Sequence, residues 1–516
     1  MLISSDKEIS ISKSTVCIIG SGVGAGTLAL KLAEMNISFV IVEAGDINNE
    51  TDAVTKDHVG RDFKLRTTTS IQLGGTSNLW HGVLSPLDEI DFERRDWIPG
   101  SGWPISYNDL IPYYKQSAEI LGLEDYNYFD LNKLDEQYSS ELKKITFDSN
   151  VLENKIFQQP LPAKNFKQDV IKLTKDSDRF HCIYNTVALS FNMEGEKVQS
   201  LTVGRITGDK QKITADIYVA AAGALETPRL LLNSHYGNGL SVGNETDNVG
   251  RYLMDHPMGN LCQVQFKKPQ KAAIYSDLKY KPNIKIKTGL EFTRKCQELN
   301  KLPNHNFYMR PSFVEGIDDR SEKIKLALLT LKDGKISFKD VYDVLSNLNV
   351  IRQIITYKMS LNVTYKYSDF FFVTEQIPNA QSRVELSSRK DRFGKPVAAI
   401  NWQLLDQDIE SMEKTFRLLL DNVFPADKFK FTHGLDDFNW DDILTSAVHH
   451  VGTARMSSTK NDGVTDINQR VFDTSNLYVA DGSLFTTAGN VNSSFTISAL
   501  ACRLAQHLEK VIKGSF

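Results

Sequence analysis

A glycine-rich turn near the start of the chain constrains the fold more than any other feature. The apolar run Thr15 to Ile19 leads into Gly20-Ser21-Gly22-Val23-Gly24-Ala25, and a second apolar run, Phe39 to Val42, ends at Glu43. This order predicts a buried strand, a tight turn, a helix and a second parallel strand that ends in an acid. We therefore expect an α/β domain of the Rossmann-like type.

The residues of this turn suit a dinucleotide. Gly20 permits the tight turn, Gly22 lets the backbone approach a pyrophosphate, and Ala25 is small enough for the helix to pack on the strand. The helix N-terminus offers unpaired N–H groups and a partial positive charge to the phosphates. Glu43 can accept hydrogen bonds from ribose hydroxyls and disfavours a 2′-phosphate, which favours FAD or NAD over NADP. A turn without a ligand can carry the same glycines, but the flanking strand and the spacing to the acid favour the binding interpretation.

The composition limits the classes of protein that remain. A chain of 516 residues is long enough for two to four domains. The net charge of −4 gives no electrostatic footprint for nucleic acid. Five scattered cysteines without a CxxC pair indicate neither a disulfide framework nor a metal site. Residues 1–13 are polar, and no apolar run is long enough to span a bilayer, so we expect a cytoplasmic protein without a membrane span.

A second glycine turn lies about two hundred residues after the first. The apolar run Ile217 to Ala221 precedes Ala222-Gly223-Ala224, and a helix is predicted from Thr227. Two such turns far apart predict one sheet assembled from distant segments. The strand-like runs between residues 260 and 435 predict a second, α+β domain on an antiparallel sheet.

These patterns divide the chain into two domains. Residues 1–258 with 445–516 form the predicted dinucleotide-binding domain, and residues 259–444 form the substrate-binding domain. Within the first, residues 97–165 are an excursion of uncertain assignment, and their polar part after residue 125 is expected to run over the surface. A helical insert is expected over Ser337 to Tyr357. The remaining long helices are expected over Tyr107 to Leu121, Asp406 to Val423 and Ser494 to Ile512.

Two C-terminal segments carry groups suited to catalysis. His449 and His450 lie together beside Gly452-Thr453, without the spacing of a metal site. Adjacent side chains on an extended chain point to opposite sides, so only one of the two histidines is expected to face a given site. Asn492 lies at the start of the last helix, where its amide and the helix dipole can stabilise negative charge.

With these segments in place, the chain resembles the glucose-methanol-choline (GMC) oxidoreductase family. The resemblance is carried by the first glycine turn, Gly74-Gly75-Thr76-Ser77-Asn78-Leu79-Trp80, Ala222-Gly223-Ala224-Leu-Glu-Thr-Pro-Arg, Asn248-Val-Gly-Arg-Tyr-Leu-Met-Asp255-His256-Pro257, His449-x-x-Gly452-Thr453 and Val479-Ala-Asp481-Gly-Ser-Leu-Phe with Asn492. It implies an α/β FAD-binding domain (Rossmann-like, GMC/PHBH-type) with an α+β substrate domain.

The resemblance also implies a chemistry. The bound dinucleotide is FAD, and a substrate hydroxyl is held against the flavin. His449 matches the family's catalytic histidine and takes the hydroxyl proton while the carbon gives hydride to flavin N5; Asn492 matches its partner. His256 is expected to be structural. Some members attach FAD through a histidine where this chain has Leu79, so we expect non-covalent FAD.

The predicted site residues fall into two further groups. The cofactor-binding residues are Gly20, Gly22, Val23, Gly24, Ala25, Glu43, Ala44, Gly74, Gly75, Ser77, Asn78, Leu79, Trp80, Val187, Ala222, Gly223, Asp481, Gly482, Asn492 and Ser493. Candidate substrate contacts are His450, Tyr308, Arg310, Glu375 and Gln376. The last four are almost as well explained as ordinary strand aromatics and surface polar residues.

The sequence leaves the activity partly open. The leading hypothesis is oxidation of a hydroxyl of a sugar, glycoside or other alcohol to a carbonyl, with O2 or an unknown carrier as electron acceptor. A lyase of the hydroxynitrile-cleaving type, in which FAD takes no redox part, is the alternative. A flavin-binding subunit without catalysis is the third. Oxidase and dehydrogenase activity are not distinguished.

Overall fold

The strands of the computed structural model fall into four sheets over the described residues. These residues are 1–6, 14–49, 56–61, 69–123, 126–134, 147–270, 278–312, 351–352, 355, 359, 364–422, 429–431 and 439–514. In chain order the strands are β1 (Leu2–Ser4), β2 (Ser14–Ile19), β3 (Phe39–Val42), β4 (Lys56–His58), β5 (Leu152–Pro160), β6 (Phe180–Tyr184), β7 (Thr186–Glu194), β8 (Lys197–Arg205), β9 (Lys210–Ile213), β10 (Ala215–Ala220), β11 (Pro257–Gln270), β12 (Leu278–Lys281), β13 (Ile284–Phe292), β14 (His305–Ser312), β15 (Tyr365–Thr374), β16 (Arg383–Lys390), β17 (Pro396–Asn401), β18 (Phe429–Phe431), β19 (Thr445–Ser446) and β20 (Leu477–Val479).

Helices cover the sheets and connect their strands. They are α1 (Val23–Glu34), α2 (Glu89–Phe92), α3 (Tyr107–Leu121), α4 (Phe166–Asp176), α5 (Thr227–Leu232), α6 (Arg294–Asn300), α7 (Asp406–Asn422), α8 (Trp440–Ile443) and α9 (Ser494–Lys513). The bounds of α3, α7 and α9 agree with the sequence prediction to within a residue. Most of the predicted insert at 337–357 lies outside the described residues.

A parallel six-stranded sheet forms the first domain, in the order β1-β6-β3-β2-β10-β20. Its strands are apolar on both faces, as expected for a sheet covered on each side. Val16 and Ile18 of β2 pack beneath α1, α4 and α9, whereas Cys17 and Ile19 face the core that contains α3 and the β7–β8–β9 meander. The predicted assembly of one sheet from distant segments is confirmed, because β10 lies between β2 and β20.

An antiparallel sheet forms the second layer of strands. Its order is β12-β13-β14-β15-β11-β18, with β5 paired to β13 and β19 paired to β11. Helix α7 packs on it through Met412, Phe416 and Leu419. Together the two sheets confirm the predicted fold class, an α/β domain with an α+β domain.

Strand β5 corrects one expectation. Its residues belong to the segment expected to run over the surface, but they pair with β13 along its whole length, and Ile156 and Phe157 are buried. The polar appearance of this segment comes partly from Lys155, which is buried and forms ion pairs with Asp88 and Glu291. Burial of a paired lysine is not visible in a local pattern of hydrophobicity.

The predicted boundary at residue 258 is crossed by a small mixed sheet. Strands β16 and β17 belong to the predicted second domain, yet β17 pairs in parallel with β4 from the first. The turn between them carries Phe393, which packs on Val187 and Leu189 of the meander. The hairpin therefore lies on the dinucleotide-binding side of the molecule.

Over the residues that the structure describes, no helix combines the length and the apolar character required to cross a bilayer.

The close packing of α1 on the C-terminal segment leads to a stability prediction. A Cβ atom on Gly24 would lie 1.8 Å from the carbonyl oxygen of Ala480, which is backbone and cannot move aside cheaply. Gly24→Ala should therefore destabilise the protein by about 1–3 kcal/mol, the usual range for an overpacked core. Thermal unfolding of the purified variant measures this as a lower melting temperature.

Gly237→Ala is the matched control. No atom lies within 4 Å of a Cβ built on Gly237, and its φ is not positive, so this variant should melt at or slightly above the wild-type temperature. Equal melting temperatures for the two variants would contradict the packing argument.

Candidate active site

A cavity of about 320 Å³ opens at the carboxyl ends of the parallel strands. Both glycine turns line it, because Gly20 follows β2 and Ala222-Gly223 follows β10. Asp481, which follows β20, lies on the same wall. Ligands of open α/β sheets bind at this edge, so the topology itself places the cavity where a dinucleotide is expected.

Ser21 links the first turn to two other segments. Its hydroxyl donates to Glu43 Oε2 and accepts a hydrogen bond of 2.8 Å from the backbone N–H of Gly74. The other Glu43 oxygen accepts from the N–H of Gly45 at 2.7 Å. Burial raises the pKa of the Glu43 carboxyl, and these donors oppose that shift. One serine thus joins the end of β2, the acid after β3 and the Gly74-Gly75 loop.

Asp481 makes the equivalent connection for the second turn. One of its oxygens accepts from the N–H of Gly223 at 2.8 Å and from the hydroxyl of Thr227 at 2.6 Å. The other accepts from the N–H of Ser483 at 2.8 Å. Burial raises the pKa of this carboxyl as well. The carboxylate therefore fixes the β10 turn against the segment after β20.

The glycines leave room for a ligand. Gly20 and Gly223 have φ values of +102° and +84°, which favour glycine, and a Cβ on Gly22 or Gly223 would meet no atom within 4 Å. Residues at the N-termini of both α1 and α9, including Val23 and Ser494, line the cavity, so two helix dipoles direct positive potential into it. This arrangement fits the phosphates of a dinucleotide.

The backbone before His449 has an unusual conformation. Val448 has a φ of +64°, which is a strained geometry for a β-branched residue. The carboxylate of Asp255 accepts hydrogen bonds from the N–H groups of Val448 at 3.1 Å and His449 at 2.8 Å. His449 and His450 both line the cavity, and the left-handed Val448 before them interrupts the extended conformation on which the expected alternation of their side chains was based.

His449 is bonded to a second histidine, His256. Their Nδ1 atoms lie 2.9 Å apart, and His256 Nε2 lies 3.1 Å from the carbonyl oxygen of Ala488. Burial lowers the pKa of both imidazoles, that of His449 to about 3, where the neighbouring His256 adds to the effect. Both rings are therefore neutral at physiological pH.

The C-terminal segment completes the wall of the cavity. Asn492 and Ser493 line it where α9 begins, and Gly482 lines it beside the histidine segment. The N–H of Gly452 donates to the carbonyl of Gly482 at 3.0 Å, which ties the two segments together. The predicted catalytic residues His449 and Asn492 therefore lie on one cavity.

Most, but not all, of the predicted cofactor residues reach this cavity. Ala25 is buried under the sheet, and the N–H of Gly74 donates to the Ser21 hydroxyl. Asn78 donates to the carbonyls of Leu73 and Gly75 and so shapes the loop, and the Leu79 side chain is 45% exposed. The predicted residues on the cavity wall are Gly20, Gly22, Val23, Gly24, Glu43, Ala44, Gly75, Ser77, Trp80, Val187, Ala222, Gly223, Asp481, Gly482, Asn492 and Ser493.

Four predicted substrate contacts do not line the cavity. Glu375 forms a buried bidentate ion pair with Arg95. Gln376 accepts from the N–H of Asp255 at 3.0 Å and from the indole of Trp402 at 2.8 Å, which supports the catalytic segment from behind. Tyr308 is buried beside the Lys287 ammonium, and the Arg310 guanidinium lies over the ring of Phe371.

Several residues of the site were not predicted. Ser21 stands inside the glycine motif itself, so its position could have drawn attention to it. Thr227 follows the second turn and could have been found in the same way. Asp255 and His256 stood in a quoted motif, but only the fold shows their contact with His449. Lys56, which lines the cavity and pairs with Glu226, had no signal in the sequence.

Several known proteins are similar to this chain in sequence. Residues 378–501 match the family model described as GMC oxidoreductase. The chain is 23% identical to 2-methyl-1,2-propanediol dehydrogenase of Mycolicibacterium austroafricanum, over 97% of this chain and 96% of that protein. It is also 23% identical to the fructose dehydrogenase large subunit of Gluconobacter japonicus, over 86% of this chain and 81% of that one.

A solved structure shares the fold. Formate oxidase of Aspergillus oryzae RIB40, in a variant made to study FAD modification, superposes with a TM-score of 0.59 at 18% identity. The match covers 98% of this chain and 99% of that chain. The match extends over nearly the whole chain, so the fold of this chain is one already seen in a solved structure.

The Ser21 bridge generates a prediction for cofactor retention. Ser21→Ala removes the acceptor for the N–H of Gly74 and one of the donors to Glu43, and leaving the buried Gly74 N–H without a partner costs about 1–3 kcal/mol. The variant should bind FAD about ten-fold or more weakly, because Glu43 lines the cavity and the Gly74 N–H anchors the loop in which the next residue, Gly75, lines it. Titration of apoprotein with FAD, followed by flavin fluorescence, measures the change.

Ser382→Ala serves as the control. The Ser382 hydroxyl also donates to one backbone group and accepts from another, but this residue does not line the cavity. The control should lose stability while its affinity for FAD stays at the wild-type value. A similar loss of affinity in both variants would assign the Ser21 effect to general destabilisation.

Proposed function

Because the chain belongs to the GMC oxidoreductase family, we propose that it oxidises a hydroxyl of a sugar, glycoside or other alcohol to a carbonyl. The chain is an FAD-dependent oxidoreductase, and His449 is the base that takes the hydroxyl proton. The observation that carries this proposal is the shared cavity, which both glycine turns, Glu43, His449 and Asn492 line together.

FAD fits the groups on the cavity wall. Glu43, which follows β3, can accept hydrogen bonds from the ribose hydroxyls. The space beside Gly22 and Gly223, where a Cβ would meet no atom within 4 Å, suits the phosphates. The N-terminus of α9, near Asn492, suits a group that gains negative charge during reduction. When bound, FAD supplies the acceptor for the hydride that leaves the substrate carbon, at flavin N5.

His449 suits the role of a base because it is neutral. Burial lowers its pKa to about 3, so the imidazole retains a lone pair across the physiological pH range. The free histidine value near 6.5 does not apply here, and protonation of His449 does not limit the reaction at neutral pH. Asn492, on the same cavity, can hold the substrate oxygen by donating from its amide.

The relatives favour oxidation over the alternatives. One is named a dehydrogenase of a diol and another a dehydrogenase of fructose, which supports a small hydroxylated substrate. A third, of Streptomyces lividus, is named 6'''-hydroxyparomomycin C oxidase, so relatives of both oxidase and dehydrogenase type exist. The electron acceptor is proposed to be O2 or a separate carrier, and a cytoplasmic location stays a prediction.

Anaerobic bleaching of the flavin tests the reaction. Protein loaded with FAD is mixed without oxygen with 2-methyl-1,2-propanediol, D-fructose, an aminoglycoside, a long-chain alcohol and pyridoxine. At least one of these hydroxyl compounds, or a close analogue, should reduce the flavin and remove its yellow absorbance. Admission of air then distinguishes an oxidase from a dehydrogenase. In an oxidase, O2 reoxidises the flavin and its yellow absorbance returns within the turnover time. A flavin that stays oxidised with every compound counts against the proposal.

His449→Asn tests the assigned base. We expect flavin reduction by the active compound to slow by about 10²–10⁴-fold, the range for loss of a general base. FAD content should be unchanged, because neither glycine turn is altered. Stopped-flow absorbance measures the rate, and the ratio of flavin to protein absorbance measures occupancy.

The exposed residue His235 provides the control for that experiment. His235→Asn removes an imidazole that does not line the cavity, so reduction should proceed at the wild-type rate. Unchanged reduction in His449→Asn would favour a flavin-binding subunit in which this histidine has no chemical role.

The attachment of FAD is a separate prediction. Leu79 carries no nucleophile, and the exposed residue His81 does not line the cavity, so FAD is proposed to be non-covalent. Precipitation with acid should leave the flavin in the supernatant. A yellow pellet that survives washing would instead indicate a covalent bond.

A further inference from the structure

The motif Asp255-His256 approaches His449 from the start of β11. Asp255 controls the main chain of this segment, since its Oδ1 accepts from the N–H of His449 at 2.8 Å and its Oδ2 from that of Val448 at 3.1 Å. The hydroxyl of Ser446 donates to the same Oδ2. These bonds stabilise the strained backbone of Val448 and fix the position of the His449 backbone.

The proton on each imidazole nitrogen follows from the hydrogen bonds. A carbonyl oxygen can only accept, so His256 Nε2, 3.1 Å from the Ala488 oxygen, carries a proton. The His256 ring is neutral, because burial lowers its pKa, and its Nδ1 is therefore a lone pair. His449 Nδ1, 2.9 Å away, must be the donor of the bond between the two rings. A neutral His449 that is protonated at Nδ1 is unprotonated at Nε2.

We infer that His256 is a positioning residue that holds His449 in the Nδ1–H tautomer, so that Nε2 is the nitrogen that can accept a substrate proton. The inference rests on the proposed role of His449 as the base. In the other tautomer, Nε2 would carry a proton and would repel a hydroxyl hydrogen rather than accept it. The bond made by one ring nitrogen decides the state of the other, as in any histidine that acts as a base.

A shared cation explains the geometry less well. The ligand atoms of Asp255, His256 and His449 lie within 4.8 Å of one another. Two nitrogens bound at about 2.0–2.1 Å to a tetrahedral ion are about 3.3 Å apart, however. The distance of 2.9 Å between the two Nδ1 atoms is that of a hydrogen bond.

Nitrogen-15 NMR of the FAD-loaded protein tests the tautomer directly. The histidines are labelled with nitrogen-15, and the His449 signals are identified by their absence in His449→Asn. In the wild type, Nδ1 of His449 should have the shift of a protonated nitrogen and Nε2 that of an unprotonated one. A protonated Nε2 on His449 would overturn the inference, whatever the activity of the protein.

Two substitutions separate positioning from packing. His256→Gln can still accept from His449 and donate to Ala488, so it should keep the Nδ1–H tautomer. His256→Phe keeps a ring of similar size but has no acceptor, so His449 should show both tautomers. His305→Phe, the same change at a buried histidine off the cavity, should leave the His449 signals unaltered. Unaltered His449 signals in His256→Phe would overturn the inference.

The rate of flavin reduction provides the second measurement. With the panel compound that bleaches the wild type, His256→Phe should reduce the flavin about 10–100-fold more slowly, the range known for loss of the hydrogen-bond partner of a metal-bound histidine. His256→Gln should recover most of that rate. Slow reduction in both variants with the tautomer preserved would overturn the positioning role.

Failure of the proposed function gives a different pattern. If no compound bleaches the flavin, the proposed oxidation is wrong, but the NMR spectra still decide whether His256 sets the tautomer of His449. If His256→Phe does not fold, the wild-type and His256→Gln spectra are sufficient, because either can show a protonated Nε2 and so contradict the inference.

Discussion

The parallel pairing of β10 with both β2 and β20 is the interaction on which the site depends. It places the turns after residues 19, 220 and 479 at one edge of the sheet, where the carboxyl ends of the strands meet. Ser21 and Asp481 then join these turns to Glu43 and Thr227 by buried hydrogen bonds. The chemistry therefore rests on backbone pairing between segments that are hundreds of residues apart.

Much of this sheet could be predicted from the sequence, because its signals are local. A buried parallel strand is a short apolar run, and a glycine turn before a helix has a fixed spacing, so β2, α1 and β3 needed no tertiary information. Most of the predicted residues that line the cavity came from the same turns or from the family motifs. The left-handed conformation of Val448 has no such signal, so the expected alternation of the His449 and His450 side chains could not be checked from the sequence.

The unpredicted contacts are those between distant polar residues. His256 and His449 are 193 positions apart, and Arg95 and Glu375 are 280 positions apart. The Glu375 carboxylate was predicted to contact a sugar hydroxyl, but in the structure it forms an ion pair with Arg95. No local sequence pattern connects these two residues. Strand β5 was not predicted for the same reason. Lys155 made its segment look exposed, and the burial of a charge depends on a partner that is distant in the sequence.

The order of the strands also bears on how the protein is made. Strand β20 and helix α9 come last in the chain, and they complete the sheet whose other strands appear within the first 220 residues. During synthesis the early strands must wait, with an open edge beside β10, while the antiparallel sheet emerges from the ribosome. The β10 edge of this sheet therefore gains its partner only when the segment that contains β20 has been synthesised.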